Sequence, residues 1–434
     1  MELLNVDTNL DIVLSDIYVG MHMLARNQQE ERERSIQLAT DQAQAEINDS
    51  TERSSKLRKK KSIFVLGQRD NSKCQVSERD LLLESNEEDK TTIQDLAHYS
   101  KYAQIIYNRL RPFAIENGWI VNEEMKFARA SETIFESKYM LSGLDCAGLD
   151  FDHAMLCYAS FLNGIVSTPY AILVDTSKQK VVITIRGTIS IEDMVMDLKC
   201  NPARLDRVGS ICGANLDGHC CHKGILARSK WLYNQIKKTK VLKTLYAEKS
   251  PFKDYGLVIC GHSLGAGCAS LLTIMVRPAF PSVRCFAYEP PGSLLDEELA
   301  KKSEDFIITT VRQDDIVCRV SHQNLDSLRD NFFDILTRIK VPKIVAFHDI
   351  RTPCTGTIME RNAKVLRPQA DVPKDTDFYK RLKKVKWQRA AANYTNLYLP
   401  GKIVHFLDPG DGRPHIPYYA SRSEFDFVSL LKKC

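Results

Sequence analysis

Residues 261–265 read Gly-His-Ser-Leu-Gly, inside the longer stretch LVICGHSLGAG. The G-x-S-x-G spacing suits nucleophilic attack by a serine raised on a sharp strand-to-helix turn. Such a turn holds Ser263 in a strained backbone conformation, and Gly261 and Gly265 keep Cβ atoms out of the crowded corner. The flanks agree: YGLVIC before it reads as a strand, and AGCASLLTIM after it as a helix. Ser263 is therefore the expected nucleophile. The backbone N–H of Leu264 is one expected donor to the oxyanion.

A serine hydroxyl is a weak nucleophile near neutral pH. It needs a base within hydrogen-bond reach, and that base needs an orienting acid. The chain order for such an elbow is serine, acid, histidine. RQDDIV follows the apolar run 307–311 and offers Asp314 or Asp315 at a strand end. The later histidines are His322, His348, His405 and His415. His322 comes too soon after the acid, His348 falls in a long insertion, and His415 lies in a Pro- and Gly-rich loop. His405, in GKIVHFL, lies where a final strand would bring it to the site, and is favoured as the base. The second oxyanion donor should follow an earlier strand. VVITIRGTIS places Thr188 there, with its N–H and its hydroxyl.

These groups need a scaffold. Short apolar runs recur at 171–174, 181–185, 257–260, 283–288, 307–311 and 403–407. They are continuous rather than alternating, which suits strands buried on both faces. Helical stretches at 223–245 and 266–276 separate several of them, and 92–110 reads as an amphipathic helix. The alternation predicts an α/β fold with a mostly parallel central sheet and helices on both faces. A catalytic domain is expected over 94–434, with an insertion at about 321–399. Residues 1–93 are expected to hold one amphipathic helix near 10–25 and a charged segment, disordered or a solvated helix, over 26–61.

A net charge of +5 over 434 residues does not suit a dedicated nucleic-acid binder. No run approaches 18 uninterrupted apolar residues, and the N-terminus lacks the basic start and apolar block of a signal peptide. The 13 cysteines therefore read as reduced thiols, mostly core fillers. His219, Cys220, Cys221 and His222 are adjacent, unlike the spacings that wrap zinc, so no metal site is expected there. Two stretches suit a lipid surface: the basic block at 56–61, and 378–391, where Phe378, Tyr379, Leu382, Val385 and Trp387 interleave with basic residues. For each, the reading favoured on sequence is a solvated basic face.

VVITIRGTIS, LVICGHSLGAG, RCFAYEPPG and QDDIVCR, in that order, resemble the class 3 lipase superfamily, and within it the sn-1-specific diacylglycerol lipases. The resemblance covers roughly 92–320 and resumes at LYLPGKIVHFL. It implies the α/β-hydrolase fold, with Ser263 as nucleophile, Asp315 as acid, His405 as base, and Thr188 and Leu264 at the oxyanion. It also implies that Asp197 braces the oxyanion loop, that a mobile lid follows Thr188, and that the insertion is regulatory. The activity implied is hydrolysis of the sn-1 ester of diacylglycerol to monoacylglycerol and fatty acid. The neighbouring activities are those of phospholipase A1 and triacylglycerol lipase. The alternative from another class is a catalytically silent lipid-binding adaptor on the same scaffold. No cofactor is required for the chemistry, although the resemblance leaves room for calcium. The expected partners are membrane diacylglycerol and an anionic membrane surface, at the cytoplasmic face. The diacylglycerol lipases carry four membrane-spanning helices ahead of this domain; no such helix is read in this chain.

Overall fold

The structure is a computed structural model. It describes residues 86–108, 120–121, 124–125, 154–187, 202–313, 315–351, 357–374, 379–380, 395–407, 415–422 and 425, with scattered positions between 19 and 34. Thr188, Asp197, Asp314, the apolar stretch after Thr188, the basic block at 56–61 and most of 378–391 lie outside the described residues.

Eight strands form one sheet: β1 (Ala154–Ser160), β2 (Tyr170–Asp175), β3 (Lys180–Ile185), β4 (Gly256–His262), β5 (Arg284–Tyr288), β6 (Ile307–Arg312), β7 (Lys402–Leu407) and β8 (Ile416–Tyr419). Their order across the sheet is their order in the chain. β1, β2 and β3 form an antiparallel meander; β3 through β7 are parallel; β8 returns antiparallel on β7. Five parallel strands therefore end on one edge, where the loops that carry chemistry in open α/β sheets lie.

The continuous apolar runs follow from burial on two faces. Val181, Ile183 and Ile185 of β3 point to one side, where Ile225, Leu232 and Leu272 pack. Val182 of β3, Val258 of β4 and Phe286 of β5 point to the other, against Leu96, Tyr99, Tyr102 and Ile106. That second layer is helix α1 (Glu87–Asn108). The first is built by α2 (Lys223–Thr239) and α3 (Leu264–Val276). This is the expected α/β-hydrolase arrangement. α1 begins at Glu87, ahead of residue 94, and Tyr419 donates to its buried Asp89 at 2.8 Å, so the packed unit reaches back into the expected N-terminal segment.

Between β6 and β7 the insertion holds α4 (His322–Arg338), α5 (Lys343–Arg351) and α6 (Ile358–Val365). Position 19 and the described positions 22–34 are helical. Arg26 bonds Asp349 and Asn362, and Asn362 donates to Glu30 at 2.7 Å. Asn27 and Glu30 are buried. The charged segment is thus docked at its start, because its polar groups find partners on the insertion. Among the described residues, no helix is long and apolar enough to cross a membrane. Cys157, Cys221, Cys260, Cys285 and Cys318 are free and buried, as core fillers are. His222 accepts from the Ile225 N–H at the start of α2, and His219 pairs with Asp296.

Candidate active site

β4 runs straight into α3 through Ser263, whose backbone is at φ 58°, ψ −128°. A non-glycine residue rarely holds a positive φ, and such strain survives only where its surroundings enforce it. Here the Ser263 N–H donates to the Tyr288 carbonyl at 2.8 Å, and the Ser263 carbonyl accepts from Ala266 at 2.9 Å and Gly267 at 3.2 Å. The glycines make room. A Cβ on Gly261 would sit 2.5 Å from the Gly265 carbonyl oxygen, and one on Gly265 would strike the Ile185 carbonyl. Leu264 opens α3, so its N–H is among the first-turn donors that have no acceptor within the helix.

β3 ends against this corner. A Cβ on Gly187 would lie 2.5 Å from the His262 carbonyl oxygen and 3.2 Å from Ser263 Cβ. Gly187 is therefore packed directly against the elbow. The Gly187 N–H donates to the Tyr107 hydroxyl at 3.0 Å, and that hydroxyl lies 3.0 Å from His262 Nδ1. His262 Nε2 lies 3.0 Å from Glu289 Oε2. Burial pushes the Tyr107 phenol up to about 12, so it remains protonated at neutral pH.

Ser263, Glu289 and Gln313 follow the ends of β4, β5 and β6, and each has a positive φ: 58°, 52° and 48°. Three neighbouring parallel strands thus each leave the sheet through a residue with the rare positive φ.

Asp315 lies just past β6. Its carboxylate accepts from the Val317 N–H at 2.9 Å and the Cys318 thiol at 3.4 Å. Burial holds its carboxyl above the usual range; the Val317 bond opposes this, and the nearby Glu289 charge adds to it. His405 is buried within β7. Its Nε2 lies 2.8 Å from the Gln313 carbonyl oxygen and its Nδ1 2.8 Å from the Tyr418 hydroxyl. The ladder pairs Val404 with Thr310, Thr310 with Tyr288, and Tyr288 with His262. His405 therefore stands on the next rung, level with Ser263 and three strands away, about 14 Å between backbones at ordinary strand spacing.

Ser263, Leu264 and the end of β3 are in contact, and Asp315 and His405 lie along the same sheet edge. Among the described residues, Asp315 bonds Val317 and Cys318, and His405 bonds Gln313 and Tyr418. His348 is exposed on α5, and His415 lies 3.2 Å from the Gln313 side-chain amide. Tyr107, His262 and Glu289 were not singled out from sequence. His262 and Glu289 sit inside recognised motifs, but nothing in the motifs shows that they meet. Tyr107 is 155 positions from His262, and no pattern in the sequence joins them.

Residues 182–325 match the family lipase (class 3). The chain is 30% identical to diacylglycerol lipase-alpha of Homo sapiens over 264 residues, 58% of this chain and 23% of that protein. It is 32% identical to diacylglycerol lipase-beta of Mus musculus over 186 residues, 43% of this chain and 27% of that protein. The chain thus spans about a quarter of the length of these relatives. A lipase from Rhizopus microsporus var. chinensis matches in structure at 18% identity and a TM-score of 0.40, covering 62% of this chain and 80% of that one.

Proposed function

We infer that this chain, which carries a class 3 lipase domain at residues 182–325, is a serine ester hydrolase that cleaves the sn-1 acyl ester of diacylglycerol. The observation that carries the reading is the left-handed backbone of Ser263 at a strand–helix corner, with Gly187 packed against it. The similarity to proteins named diacylglycerol lipase supplies the substrate class.

In this reading the Ser263 hydroxyl attacks the ester carbonyl and passes its proton to His405, which Asp315 orients. The N–H groups of Leu264 and Thr188 receive the oxyanion. The alcohol leaves with the proton from His405, and water releases the fatty acid from the acyl-serine. His405 enters this cycle only after giving up the Gln313 carbonyl, and the end of β7 must move with it toward Ser263. A conformational step of this kind gates many enzymes. This chemistry requires no cofactor. The enzyme works at the cytoplasmic face of a membrane, where an anionic surface attracts its basic stretches.

The bonds that hold His405 away from Ser263 favour a second reading, a lipid-binding adaptor on a lipase scaffold. Product analysis separates the two. Diacylglycerol labelled separately at its two acyl positions should release label from sn-1 and yield 2-monoacylglycerol. Release from sn-2 contradicts the positional claim, and no release favours the adaptor. Phospholipid and triacylglycerol run in parallel test phospholipase A1 and triacylglycerol lipase activity.

A further inference from the structure

A chain of hydrogen bonds crosses three elements beside the elbow. The Glu289 carboxylate can only accept, so His262 Nε2 carries the proton that faces it at 3.0 Å. A neutral ring then presents Nδ1 as an acceptor, toward the Tyr107 hydroxyl at 3.0 Å. Tyr107 gives its proton to that nitrogen. Its oxygen accepts the Gly187 N–H at 3.0 Å. The His262 carbonyl oxygen lies 3.3 Å from the same hydroxyl, so both the ring and the backbone of His262 hold Tyr107.

The ends of the chain are firmly held. Tyr107 lies in the last turn of α1, and α1 is fixed to the sheet by buried Tyr99, Tyr102, Ile105 and Ile106. Thr184 of β3 donates to the Tyr102 carbonyl at 2.7 Å, and Tyr288 of β5 to the Leu96 carbonyl at 2.6 Å. Glu289 is pinned by its N–H bond to Thr310 at 2.9 Å. The space beside the Gly187 Cα is closed by the Tyr107 hydroxyl, the His262 carbonyl and Ser263 Cβ together: a Cβ there would lie 2.4, 2.5 and 3.2 Å from them.

We propose that Tyr107, held by His262 and Glu289, is a positioning residue that fixes the Gly187 peptide and so sets the oxyanion donor that follows it. The inference rests on the serine-hydrolase reading above. A misplaced donor weakens the transition state more than the bound substrate, so the loss falls on kcat.

The test uses the full chain, a water-soluble short-chain ester and a fluorophosphonate, whose phosphoryl oxygen occupies the same hole. Tyr107→Phe should lower kcat about tenfold with KM within about twofold, and slow phosphonylation of Ser263 by a similar factor. Glu289→Ala should show part of this loss. Glu289→Gln, whose amide oxygen still accepts from His262, should restore it. Unchanged kcat in both Tyr107→Phe and Glu289→Ala overturns the proposal, as does a change confined to KM. If Tyr107→Phe does not fold, the Ala-against-Gln comparison at Glu289 decides alone, and equal rates for the two overturn it. A wild type that neither turns over nor labels sinks the serine-hydrolase reading instead.

Discussion

The Nε2 atom of His405 lies 2.8 Å from the carbonyl oxygen of Gln313. A carbonyl only accepts, so Nε2 holds a proton, and the Tyr418 hydroxyl donates to Nδ1. In this arrangement the imidazole has no lone pair to offer Ser263. His405→Ala should nonetheless lose about 1,000-fold or more in turnover while still binding vesicles, because no other residue is assigned to take the serine proton. His348→Ala and His415→Ala should stay within a few-fold of wild type. Steady-state rates on a soluble ester check this. Loss of activity in either of those two, with His405→Ala active, would reassign the base.

The corner at Ser263 makes a stability prediction. Gly265→Ala puts a methyl group into the Ile185 carbonyl, a backbone atom that cannot step aside. Overpacking of this kind costs about 1–3 kcal/mol. Urea denaturation should show that loss, and activity should fall with it as the elbow shifts. A variant as stable and active as wild type would mean that the corner is looser than described.

Two carboxylates respond to pH in opposite senses. Burial holds Asp315 above the usual carboxylate range, so its ionisation opposes folding. That cost is absent at acid pH and grows as pH rises through the carboxyl titration. Asp315→Asn should therefore be more stable than wild type at pH 7.5, with the advantage shrinking toward pH 4, and it should lose about 10,000-fold in turnover. Burial also raises the carboxyl of Asp175, but bonds from His98, Ser177, the Lys178 N–H and Tyr102 overcome it and leave the group well below its ordinary value. The stability that Asp175 contributes is present above about pH 4 and fades as pH falls through its folded titration. Asp175→Asn should cost on the order of 2 kcal/mol at neutral pH and progressively less in acid. Denaturation curves at several pH values check both. Parallel pH trends for the two variants would contradict the assignments.

The sheet was legible because β3 to β7 are apolar on both faces, and a continuous run of β-branched residues is hard to place otherwise. Ser263 and its glycines were legible because the strain of the corner restricts residue type locally. β1 and β8 were missed. β1 (AMLCYAS) is mostly buried but holds no β-branched residue, and β8 spans four residues at the sheet edge, so neither shows the signature. The partners of His405 and His262 could not be read, since Tyr418 and Glu289 reach them through tertiary packing. Asp89 illustrates the same point. It reads as a surface acid ahead of a helix, and it is buried because the returning strand β8 brings Tyr419 onto it.

The basic stretch around Trp387 makes a prediction about the membrane. Neutralising Lys380, Arg381, Lys383, Lys384 and Lys386 should weaken binding to anionic vesicles at low salt by roughly 1 kcal/mol for each charge that nears the surface. Binding to neutral vesicles should change little. Vesicle sedimentation across a salt series checks it, and unchanged binding would make the stretch a solvated face.

The most direct test of an acyl-forming serine is intact-mass analysis after reaction with a fluorophosphonate. Wild type should gain one adduct, mapped by peptide sequencing to Ser263, in parallel with loss of esterase activity, and Ser263→Ala should gain none. An unlabelled wild type, or a label that persists in Ser263→Ala, would contradict it.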